Sequence, residues 1–117
     1  MQSEELKRRT KAFGLRVIRL VESLPRSRVA DVVGRQLLRS GTSVGAQYRS
    51  ACRAKSRADF ISKVNGVEEE ADESAFWIEL LADAKAVAAD KVANLLQEAN
   101  ELTKIFGASA RTAKGNI

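Results

Sequence analysis

The chain has 117 residues, enough for one core and too few for two, so a single domain over residues 1–117 is expected. With 44% hydrophobic and 30% charged residues, one Pro and 5% aromatics, the composition excludes a disordered chain and fits a helical one. Residues 1–9 are too charged for a signal peptide, no apolar run approaches the ~20 residues of a membrane span, and the lone Cys52 suits a reducing compartment; a cytoplasmic protein with no membrane partner is expected.

Taken in chain order, Ser3 can cap a first helix at about 4–24, with Leu6, Phe13, Val17, Leu20 and Leu24 at helical spacing, and Pro25 stops it. Ser27 caps a second at about 28–55, carrying Val29, Val33, Leu37, Val44, Tyr48 and Ala51 and crossed by the weak helix formers Gly41, Thr42 and Ser43. Ser56-Arg57-Ala58-Asp59 reads as a variant capping box opening a third helix at about 57–86, with Phe60, Val64, Val67, Ala71, Ser74, Ile78 and Leu81 inward. Asp90 can cap a fourth at about 91–113, with Val92, Leu95, Leu96, Ala99, Leu102 and Phe106 inward, and residues 115–117 should fray. Short links make consecutive helices antiparallel neighbours. The expected fold is therefore all-α, an antiparallel up-and-down four-helix bundle.

The chain has no histidine, which removes the commonest general base and transition-metal ligand. Bundles that hold two metals through carboxylates also use Glu-x-x-His pairs, so Glu68, Glu69, Glu70, Asp72 and Glu73 read as a helix surface. We expect no enzyme, no metal and no cofactor.

Charge is unevenly placed. Residues 1–57 hold 14 Lys or Arg against 4 Asp or Glu, and residues 58–117 hold 6 against 11, giving +10 and −5. At about 100° per residue, Arg28, Arg35, Arg39, Arg49, Arg53 and Arg57 fall within one ~80° sector if the second helix is continuous, opposite its apolar residues. Such a stripe could follow nucleic-acid phosphates, arginine's planar fork being suited to them; it could also be an ordinary solvated face. On the third helix Phe76 and Leu80 share the outer side with Glu69 and Glu73, and Trp77 lies at the boundary. An exposed aromatic patch of this kind points to a subunit interface. These five residues would dock on the arginine stripe of another copy.

The segments 36–46 (Gln-Leu-Leu-Arg-Ser-Gly-Thr-Ser-Val-Gly-Ala), 56–63 and 69–81 resemble the four-helix bundle family related to the 23S ribosomal RNA intervening-sequence protein. The resemblance implies a homopentameric ring. It also brings in the accessory variability determinant of diversity-generating retroelements, a family member that binds nucleic acid and a reverse transcriptase; a reverse transcriptase becomes an expected partner if this chain is encoded in a retroelement. The functional expectation is a non-enzymatic oligomer that binds RNA or DNA without strong sequence preference. The alternative is a ring-forming protein-interaction scaffold that binds no nucleic acid.

Overall fold

The computed structural model describes residues 3–115 and consists of four helices: α1 (Ser3–Ser23), α2 (Arg28–Ala51), α3 (Arg57–Asp83) and α4 (Ala89–Gly115). No strand occurs among the described residues. Each helix packs along the one before it, and α1 and α4 close the bundle by a much lighter seam. The result is a rod 48 Å long and about 20 Å across, with the all-α up-and-down topology expected.

The helix starts follow from the caps. Ser27 Oγ accepts from the Ala30 amide at 3.1 Å and Ser56 Oγ from the Asp59 amide at 3.0 Å, each serine in extended backbone that lets the side chain turn back on the helix. The box at Ser56 is completed differently from the usual one: the Asp59 carboxylate accepts from the Lys55 amide. That bond, with Lys63 Nζ at 3.2 Å, holds the Asp59 carboxyl below its ordinary pKa.

Several ends fall elsewhere than the pattern indicated. α2 stops at Ala51, because residues 52–56 must turn for Ser56 to reach its capping conformation. α3 stops at Asp83: Lys85 takes a left-handed φ of 62°, donating to Ala82 O while Ala86 donates to Leu81 O, so the last carbonyls of α3 are satisfied by the turn. α4 is already under way at Ala89, which makes Asp90 a first-turn residue that favours the helix dipole and not the cap. Ser3, the expected cap of α1, is itself helical, as is Gly115; residues 116 and 117 lie outside the described residues.

The core is a continuous column of apolar side chains, with Phe13, Val17, Leu37, Val44, Val64, Val67, Ile78, Leu102 and Phe106 fully buried. Tyr48 and Phe106 meet with ring centroids 5.2 Å apart. α2 runs unbroken through residues 41–43. Gly41 gives room to Val17, whose Cγ2 would lie 2.7 Å from a Cβ placed there, and Thr10 backbone lies within 3.4 Å of one placed at Gly45. Small residues therefore let α1 and α2 approach, and that packing outweighs their weak propensity.

Two candidate interaction surfaces

The first surface is a groove of about 620 Å³ between the outer sides of α1 and α2. It exists because the helices touch backbone to backbone: a Cβ at Gly14 would lie 3.7 Å from Gly41 O. Gly14, Gly45 and Ala46 leave it without bulky side chains, while Leu15 and Ile18 give it an apolar wall. Leu15 is 44% exposed although it is a large aliphatic residue. Lys7, Arg8, Lys11, Arg49 and Arg53 make the groove basic, against a single acid, Glu4, which pairs with Lys7 at 3.2 Å.

The second surface is the outer side of α3. Phe76 is 53% and Leu80 37% exposed, and by helical phase they stand among Glu69, Asp72, Glu79 and Asp83. Trp77 is half-buried against the core, edge-on to Phe76 at 5.0 Å, and donates its indole N–H to Glu73 at 2.9 Å.

The six arginines expected to form one stripe are divided by the fold. Arg49 and Arg53 face the α1 groove. Arg39 turns to the other flank of α2 and is held by Glu70, at 3.3 Å, and Glu73 of the same chain. Glu70 also accepts from Gln47 at 3.3 Å, so this acidic pair is already engaged across α2 and α3. Arg35 lines a shallow cleft with Pro25 and Asp31 near the α1–α2 turn, beside Arg28 at the start of α2. Arg57 opens α3, so the phase counted along α2 does not reach it. Lys7, Arg8, Lys11, Leu15 and Ile18 are not marked by the inward periodicity of α1; they recur at spacings of three and four on its opposite face, the signal that identifies them in the sequence.

A different pairing closes the α1–α4 seam. Arg9 reaches Glu98 through two hydrogen bonds of 2.7 and 2.8 Å and Glu101 at 2.8 Å; the bond to Glu98 is the main reason its pKa is raised. Among the described residues no group of three or more Cys, Asp or Glu is placed to hold a metal ion, and no helix is long and apolar enough to cross a membrane.

Fold and surfaces together define a helical-bundle protein whose distinctive features lie on its outer faces. The chain belongs to the 23S rRNA-intervening sequence protein family, whose model matches residues 3–108. It is similar to a crystal structure, at 1.70 Å resolution, of a protein of unknown function from the S23 ribosomal protein family of Bacteroides thetaiotaomicron: 32% identity, 95% of this chain and 99% of that one covered, TM-score 0.87. No curated protein matches the chain in sequence.

Proposed function

We propose that this is a non-enzymatic protein that assembles with copies of itself through the two surfaces described above and binds nucleic acid through charge, without strong sequence preference. The observation that carries the assembly is complementarity within one chain. The α1–α2 groove is apolar and basic, the outer face of α3 apolar and acidic. Gly14 lies against Gly41, and Ser40 bonds Ser74, so Leu15 and Phe76 sit at one level of the rod on helices that do not touch. Contacts between two different faces of equal copies are heterologous and close into rings when the rotation permits. Five copies are the number the family resemblance implies.

Size-exclusion chromatography with light scattering is expected to give an oligomer at micromolar concentration, and Leu15→Glu and Leu80→Glu are each expected to reduce it to monomers of unchanged helicity. A monomeric wild-type protein would overturn the assembly. The second reading, a scaffold that binds no nucleic acid, is favoured by Arg39 being engaged by Glu70 and Glu73 within its own chain. An electrophoretic shift with generic RNA and DNA at low salt separates the two readings, because counterion release makes binding of this kind fall steeply as salt rises.

A further inference from the structure

The fold sorts charge along the rod in a way that the order of residues in the chain conceals. Antiparallel packing brings residues 3–11 of α1, residues 45–68 around the α2–α3 turn, and residues 107–115 of α4 to the same end, since Gly45 lies against Thr10 and Gly107 against Glu68. These segments hold 11 Lys and Arg against 4 Asp and Glu, a net of +7. The rest of the chain holds 9 against 11, a net of −2, and the two make up the chain's +5. The last turns of α4 belong to the acidic half of the sequence yet end on the basic pole.

We propose that this pole, centred on Lys55 in the α2–α3 turn and on Lys104, Arg111 and Lys114 of α4, is the surface that receives nucleic acid, and that it holds the phosphate backbone of a duplex. The proposal rests on the nucleic-acid reading above and gives it a place and a substrate form. Lys104, about one turn from the pole segment, and Arg111 are seven residues apart and share one side of α4, and the Arg111 guanidinium and the Glu68 carboxylate of α3 both reach the surface over Gly107. All four cations are exposed, and among the described residues none of them has an ion pair. They lie outside both assembly surfaces, so a ring would leave them open.

The form of the nucleic acid follows from what the pole contains. Single-strand binders add exposed aromatic rings on which bases stack. Here Tyr48 and Phe106 are buried and Phe60 is packed against the core, while the exposed Phe76 belongs to the acidic face of α3. Affinity then follows phosphate density, which is greater in a duplex. A membrane surface fits less well, since anchoring needs large apolar side chains among the cations. Among the described residues, the exposed large hydrophobic ones are Leu15, Val29, Val32, Phe76 and Leu80, all outside the pole segments.

The test compares two charge reversals of equal size on the full chain. Fluorescence anisotropy with a labelled duplex and with one of its strands is measured for wild type, for Lys55→Glu with Arg111→Glu, and for Arg28→Glu with Arg35→Glu at the opposite end. The pole variant is expected to lose at least about tenfold in affinity with a shallower salt slope, the opposite-end variant to stay within about twofold, and wild type to prefer duplex over strand. Equal losses in both variants, or preference for the strand, would overturn the pole while leaving nucleic-acid binding standing. Absence of any wild-type binding at low salt would remove both. Pelleting with phosphatidylserine vesicles but no duplex binding would assign the pole to membranes instead.

Discussion

The hydroxyls of Ser40 and Ser74 meet at 2.8 Å in the seam between α2 and α3, both fully buried. Ser74 donates to Glu70 O at 2.8 Å and Ser40 lies 3.3 Å from Leu37 O, so neither oxygen is stranded. Each single change to alanine is expected to cost about 1 kcal/mol, and Ser40→Ala with Ser74→Ala less than the sum, since the second change no longer leaves a partner unpaired. Urea unfolding of the four proteins checks this; strictly additive losses would remove the pair from the account of stability.

Gly41 and Gly66 should respond oppositely to alanine. At Gly41 a methyl would lie 2.7 Å from Val17 Cγ2 and 3.0 Å from Val17 Cβ, and Val17 is fully buried and stiff at χ1. The overpacking, about 1–3 kcal/mol, exceeds the ~1 kcal/mol gained in helix propensity. At Gly66 the close atom is the tip of Gln47, which can swing aside, so Gly66→Ala is expected to stabilise by up to about 1 kcal/mol. Thermal midpoints of the two variants should move in opposite directions.

Lys85 ends α3 in a conformation that L side chains resist. Lys85→Gly is expected to raise stability by about 0.5–1 kcal/mol, the relief of left-handed strain outweighing the added freedom of the unfolded chain. A lower midpoint of denaturation would mean that the side chain contributes a contact worth more than the strain.

Tyr48 gives the protein an alkaline limit. Burial, with the Cys52 thiol beside its hydroxyl, pushes the phenol well above its ordinary value of 10.0. The unfolded chain therefore releases this proton first, and stability is lost as pH rises above about 10. Tyr48→Phe has no proton to hold and should lose less stability than wild type between roughly pH 9 and pH 11. An unchanged difference across that range would contradict the assignment.

How much was legible in the chain depended on which interactions decide each feature. The four helices were, because apolar residues recur at helical spacing within each of them, as Val92, Leu95, Ala99, Leu102 and Phe106 do in α4, and Ser27 and Ser56 carry their signal locally. The end of α2 was not: residues 52–55 contain no breaker, and the turn is set by the capping of the next helix. The end of α3 was hidden by a lysine where glycine is usual. The surfaces were legible by halves. Phe76 and Leu80 stand out on one helix, whereas the groove takes its wall from α1 and its floor from both helices, and the division of the arginines depends on which neighbour each flank of α2 meets.

The fit of Val17 over Gly41 also acts as a ruler. A slip of one turn, about 5.4 Å, would carry Val17 away from the glycine toward Leu38 or Gly45, the first too large and the second already taken by Thr10. Because this notch holds Leu15 at the height of Phe76, in the assembly proposed above a buried glycine would set the pitch at which copies join, and its loss is expected to open such a ring into a spiral.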